Sequence, residues 1–194
     1  MGERAKYENK NPAYRFLVDR FLSHISKAEE FLPDIGRILD VGCAEGFVIN
    51  YLKNKNSKIS FYGIDVDAES IKDARKLNPD SIFECKSVYD INMPGEKFDL
   101  VISLEILEHL KDFSGALRVL HNLNSEFFIF SVPREPFFRT INFLRGKYTG
   151  RWGNHPEHVN TWGKREFKKI LSPYFKVIGD FSSFPWTIFL TKKI

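Results

Sequence analysis

Only two cysteines, Cys43 and Cys85, occur in the 194 residues, so neither a disulfide framework nor a zinc-ligand spacing can be built from them. No apolar run is long enough to cross a bilayer, and the opening MGERAKYENKNPAYRF lacks the apolar core of a secretory leader. Lys6 stands where an N-myristoylation signal after Gly2 requires Ser or Thr. An excess of one charge is missing too: 29 Lys and Arg against 25 Asp and Glu leave a net +4, which does not by itself indicate nucleic acid. Internal repeats and low-complexity linkers are absent. These absences point to a soluble protein in a reducing, cytoplasmic setting.

What is present suits one domain with a sizeable core: 43% hydrophobic residues and 19 Phe. Pro12 opens a helical stretch in which Leu17, Phe21, Ile25, Ala28 and Leu32 recur at helical spacing. Short apolar strands then alternate with helices. GRILDVGC, ISFYGIDVD, SIFECKSV, FDLVISL and EFFIFSVP read as strands, and FVINYLKNK, AESIKDARKL and SGALRVLHNL as helices. KREFKKILSPY is a further helix, and the strands FKVIGDF and WTIFLTKK close the chain. This alternation predicts an α/β fold, a mostly parallel sheet with helices on both faces, and an antiparallel pairing of the last two strands. The expected organisation is a single domain over 1–194, with an N-terminal helical cap at 1–35 and an irregular insert at 134–163. In such sheets ligands bind at the carboxyl ends of the strands, near the switch in strand order.

The first strand end carries the strongest motif. LDVGCAEGF joins strand to helix through two glycines, which let a ligand approach the backbone and the helix N-terminus. The dinucleotide fingerprint fails, because Ala44 and Phe47 occupy its second and third glycine positions counted from Gly42. The triphosphate-cradling G-x-x-x-x-G-K-[ST] pattern is absent as well. The second strand ends in GIDVD, where Asp65 can accept both hydroxyls of a ribose. A ligand with an adenosine-like ribose and no pyrophosphate meets these conditions, and S-adenosylmethionine is such a ligand.

The segments ILDVGCAEG, GIDVD and FDLVISLEILEHL together resemble the class I S-adenosylmethionine-dependent methyltransferases, and the insert at 134–163 with HVNTW and the final PWTIFL resembles a subfamily of small type-11-like members. The resemblance implies a three-layer αβα sandwich with a seven-stranded, mostly parallel Rossmann-like sheet whose last strand is antiparallel. It implies that Gly42, Cys43 and Gly46 shape the methionine side of a cofactor pocket, and that Asp40 orients the loop and the cofactor's amino group. Asp65 would hold the ribose with Val66 beside the adenine, and Ser103 and Leu104 would line the cofactor. Many relatives carry Asp where Ser87 stands. Here the Ser87 hydroxyl and the Val88 N–H would meet the adenine, with weaker selectivity.

SLEILEHL, over 103–110, puts Glu105, Glu108 and His109 at spacings of three and four, one face of a helix. Ubiquinone-pathway O-methyltransferases and small-RNA 3′-terminal 2′-O-methyltransferases show a similar E-x-x-E-H stretch and a later histidine. In the RNA family those side chains bind a divalent metal. The matching set here is Glu105, Glu108, His109 and His158, suited to Mg²⁺, Mn²⁺ or Zn²⁺. The competing reading is an ordinary helix start, where acidic residues favour the N-terminus. His109, His158 and Glu105 are the catalytic candidates. His155, also in the insert, reads as surface loop.

Three functions remain open on this reading. The leading one is methyl transfer to an oxygen of a small-molecule or lipid acceptor. The second is RNA 3′-terminal 2′-O-methylation with a divalent metal, binding RNA through Arg134, Arg139, Arg145, Lys147 and Arg151. The third is a non-catalytic partner protein that binds S-adenosylmethionine. The aromatic, arginine-rich insert fits an RNA end, an anionic membrane surface or an aromatic mini-core. Acceptor and oligomeric state are not legible in the residues.

Overall fold

A computed structural model describes Tyr7, residues 11–134 and residues 159–194. The first helix, α1 (Pro12–Glu30), is capped by Asn11, whose side chain accepts from the Ala13 and Tyr14 N–H groups. Its stripe of Val18, Phe21, Leu22, Ile25 and Ala28 is buried. Then follow β1 (Arg37–Val41), α2 (Phe47–Lys55), β2 (Ser60–Asp65), α3 (Ala68–Leu77), β3 (Ile82–Cys85), β4 (Leu100–Leu104), α4 (Phe113–Asn122) and β5 (Phe127–Pro133). After the undescribed segment come α5 (Lys164–Leu171), β6 (Phe175–Asp180) and β7 (Trp186–Lys193). α5 stops earlier than its sequence pattern, because Pro173 cannot continue it.

The seven strands form one sheet in the order β3-β2-β1-β4-β5-β7-β6. All pairs from β3 to β5 are parallel, and β7 runs antiparallel to both β5 and β6. Strand order reverses between β1 and β4. Both faces are covered, so the strand interiors are mostly apolar, and the side-chain alternation of a strand divides them into two cores. Ile38, Leu100, Ile102, Ile129, Ile188 and Leu190 face one core, closed by α1, α2 and α3. Leu39, Val41, Val101, Phe128, Phe130 and Phe189 face the other, closed by α4 and α5.

Six of the nine buried phenylalanines among the described residues line the second core. The Phe128, Phe130 and Phe175 rings have centroids 4.8–6.0 Å apart. Such rings combine large buried area with favourable edge and offset contacts. Among the described residues no helix is long and apolar enough to cross a membrane. Phe128→Ala is expected to destabilise the chain by about 3–5 kcal/mol, measured as a lower urea midpoint with an unchanged slope.

Candidate functional site

The crevice at the reversal is built from backbone. Two N–H groups, of Gly42 and Cys43, donate to the Ile64 carbonyl at 2.6 and 3.0 Å and tie the loop after β1 to the end of β2. The loop then turns tightly, with Gly46 N–H donating to Cys43 O at 2.8 Å. Gly42 (φ 78°), Ala44 (φ 45°) and Gly46 (φ 75°) all adopt left-handed backbone. A Cβ at Gly42 would fall inside the Ile106 side chain, so glycine is required there by both space and φ. Gly46 starts α2 without a side-chain cap, and the first-turn N–H groups of that helix lack a competing side-chain acceptor from the cap position.

Asp65 is half-buried at the end of β2. Its carboxylate accepts from Ala44 N–H and from Asp67 N–H, each at 2.9 Å. Each oxygen keeps a further lone pair after these bonds. The next residue, Val66, is 73% exposed and offers an apolar surface beside that carboxylate. Ser87 accepts from Tyr89 N–H at 3.3 Å, leaving its own hydroxyl proton to donate, and Val88 is buried beside it. Asp40 is buried in β1 one residue before its end, and Leu104 is partly buried against the first core. Ser103 stands opposite Val41 at the end of β4, fully buried, and its hydroxyl has no hydrogen-bond partner among the described residues.

An orphaned buried hydroxyl is costly unless something supplies a partner. With Asp65's spare lone pairs, exposed Val66 and the uncapped α2 terminus, it fits a ligand with a diol, a flat ring and a zwitterionic tail. Cys43 contributes differently from its neighbours. Its side chain is in the first core, under Gly63, where burial and then the charges of Asp40 and Asp65 push its thiol far up. Cys43 therefore offers the crevice only backbone.

The stretch after β4 departs from its helical spacing. Glu105 has left-handed backbone (φ 55°), which costs an L side chain on the order of 1 kcal/mol. Leu107–His109 is a short 3-10 turn rather than the start of an α-helix. The three polar side chains accordingly diverge in environment. Glu105 is half-buried and its carboxylate accepts from the Trp186 indole N–H, Glu108 is buried, and His109 is exposed. Among the described residues no three His, Cys, Asp or Glu side chains group as metal ligands would. Glu105, Glu108 and His109 by themselves make no such group. His158, their fourth candidate partner, lies outside the described residues, as do His155, Arg139, Arg145, Lys147 and Arg151.

Four residues that matter here gave little signal in sequence. Asn78 is buried after α3, where its side-chain amide donates to Gly46 O at 3.0 Å and accepts from Asn50 at 3.2 Å. Asn160 clasps the turn after β4: its amide donates to Leu110 O at 2.7 Å and Leu107 O at 3.3 Å. The Val159 and Asn160 N–H groups both donate to Glu108 O, at 2.9 and 3.0 Å. Ile106 and Trp186 read as ordinary core residues. An Asn before a proline, as in NPD, is the one local hint, and it indicates only a helix end.

A methyltransferase domain family, type 11, matches residues 39–124. The ubiquinone biosynthesis O-methyltransferase of Rhodopseudomonas palustris (strain HaA2) is 27% identical over 136 residues, 66% of this chain and 51% of that protein. The chain spans about half the length of the first curated relatives it matches. Two solved structures share the fold. The magnesium protoporphyrin IX methyltransferase of Synechocystis PCC 6803, with bound SAH, has a TM-score of 0.76 at 18% identity, covering 99% of this chain and 93% of that one. The N-methyltransferase NodS of Bradyrhizobium japonicum WM9 has a TM-score of 0.72 at 15% identity, covering 96% and 98%.

The contrast between the two cysteines is testable. Cys85 is exposed, whereas Cys43 is buried with its thiol held protonated at neutral pH. Iodoacetamide at pH 8 is expected to modify Cys85 and leave Cys43 unmodified until denaturant is added, as read by peptide mass spectrometry.

Proposed function

We propose that this chain, a class I S-adenosylmethionine-dependent methyltransferase of the type-11 kind, transfers the cofactor's methyl group to an oxygen of a small-molecule or lipid acceptor. The observation that carries the reading is the crevice between β1 and β4, where the left-handed loop 42–46, the half-buried Asp65 and the orphaned Ser103 hydroxyl converge. Oxygen as the acceptor atom follows the name of the R. palustris relative.

In this reading Asp65 would accept from the two ribose hydroxyls through the lone pairs left by Ala44 and Asp67. Val66 would lie against the adenine, and Ser87 and Val88 would meet its edge. Asp40 would take the amino group, and the loop through Gly42, Cys43 and Gly46 would receive the carboxylate at the α2 terminus. Ser103 and Leu104 would close the side toward the acceptor. When bound, S-adenosylmethionine supplies an electrophilic methyl group on a sulfonium centre. The chain's remaining work is to align the acceptor with that centre and to exclude water. A hydroxyl acceptor must also lose a proton. His109, exposed on the turn after β4, is the base at this edge among the described residues. No step is assigned to a metal.

Three further buried hydroxyls, of Ser131, Ser183 and Thr187, have no hydrogen-bond partner among the described residues. Ser131 lies beside Leu104 and shares the first-core face with Ile188, whereas Thr187 shares the second-core face with Val132, so of these two only Ser131 lies on the Leu104 side.

Asp65→Ala is expected to weaken SAH binding in calorimetry by at least about tenfold. No binding by the wild type at hundreds of micromolar would sink the reading. His109→Ala should lower kcat about 100-fold and leave SAH affinity unchanged. Labelled methyl transfer to fractionated cell extract, with and without chelator, would identify the acceptor fraction. We expect an organic-soluble acceptor and no loss with chelator, whereas label in an RNA fraction abolished by chelator would favour the RNA-terminal alternative.

A further inference from the structure

We infer that Glu105 is a positioning residue for the cofactor loop, acting through Trp186 and Ile106, and serves as neither base nor metal ligand. The purpose of that loop rests on the methyltransferase reading; the mechanical coupling does not. Trp186 opens β7 and is buried in the first core, with its ring centroid 4.8 Å from that of Phe21 on α1. Its backbone N–H donates to Ser183 O at 2.6 Å, and it pairs with Pro133 at the end of β5. The backbone of Trp186 is thus held at two points and its ring packs against Phe21, and the indole N–H is aimed at the Glu105 carboxylate.

Glu105 is held from its other side as well. Its backbone N–H donates to Ser131 O at 2.9 Å. Between these two anchors the residue sits at φ 55°. An L residue stays in that region only where its surroundings over-determine it. The left-handed turn redirects the chain, and the next residue, Ile106, lies over Gly42 where a Cβ would otherwise stand. Gly42 is the first residue of the loop tied to Ile64. A contiguous series of contacts thus runs from α1 through Phe21, Trp186, Glu105 and Ile106 to Gly42.

The carboxylate is the acceptor in this series, and a hydrogen bond to an ionised acceptor is among the strong ones. A proton-accepting or metal-binding role would need the charge directed at the acceptor. A positioning role needs only an oxygen at the same place. Glu105→Gln separates the two, since its amide oxygen still accepts from the indole. Glu105→Ala removes the acceptor, and Trp186→Phe removes the donor while keeping a ring against Phe21.

Backbone hydrogen exchange over residues 42–46, measured on the protein without ligand, and SAH affinity by calorimetry are compared across the wild type and the three variants. Glu105→Ala and Trp186→Phe are expected to speed exchange and weaken SAH about tenfold, the effect of one charged hydrogen bond. Glu105→Gln is expected to stay within about twofold of wild type in both. The inference is overturned if Glu105→Gln is as damaging as Glu105→Ala, or if exchange over 42–46 is unchanged in Glu105→Ala. If Trp186→Phe does not fold, the two Glu105 variants decide alone. A wild type that binds no SAH would remove the methyltransferase reading, and the exchange measurements would still decide the coupling.

Discussion

The reversal of strand order between β1 and β4 is the constraint on which the rest of this molecule depends. At that point the two crossover connections leave the sheet in opposite senses, which opens a crevice between them at the strand ends. The residues there cannot be satisfied by a neighbouring crossover. The loop from Gly42 to Gly46 bends back to Ile64 for its hydrogen bonds, Asp65 turns inward to Ala44, and Ser103 keeps an unmatched hydroxyl. The same chemistry elsewhere in the sheet would be buried under a helix.

Around the crevice the backbone accepts unfavourable conformations. Two of the three non-glycine residues at positive φ among those described, Ala44 and Glu105, are in the loops leaving β1 and β4, the two strands that flank it. Such residues persist only where packing on all sides fixes them. Here the two cores supply that rigidity. The aromatic cluster of Phe128, Phe130 and Phe175 anchors β5, which holds Glu105 through Ser131. The first core seats α1 and Trp186. Asn78 braces the opposite side of the glycine loop from the end of α3. The site is thus supported by parts of the chain that never approach a ligand.

Much of the fold was legible in the residues, for definite reasons. The α2 and α3 boundaries coincide with their sequence patterns because Gly46 and Asp67 mark the starts, while Asn56 and the Asn78-Pro79 pair mark the ends. The central strands were legible because burial on both faces makes them short, largely apolar runs. The pairing of β6 with β7 followed from a connection too short for a crossover. SLEILEHL misled because i, i+3 and i+4 spacing carries meaning only if the backbone is helical. A left-handed Glu105 and a single 3-10 turn send those three side chains into different environments.

By itself, then, the sequence determined the alternation of strands and helices, the glycine loop and the carboxylate at the end of β2. Each of these is a local property of spacing and residue type. Only the tertiary structure decided what Glu105 does, because its partner Trp186 lies on the last strand and reaches it through two long-range pairings, β4 with β5 and β5 with β7. It likewise decided that Cys43 turns into the core and that Asn160 clasps the turn after β4. Contacts between residues so far apart in the chain are set by how the sheet is assembled, and no local pattern of side chains encodes them.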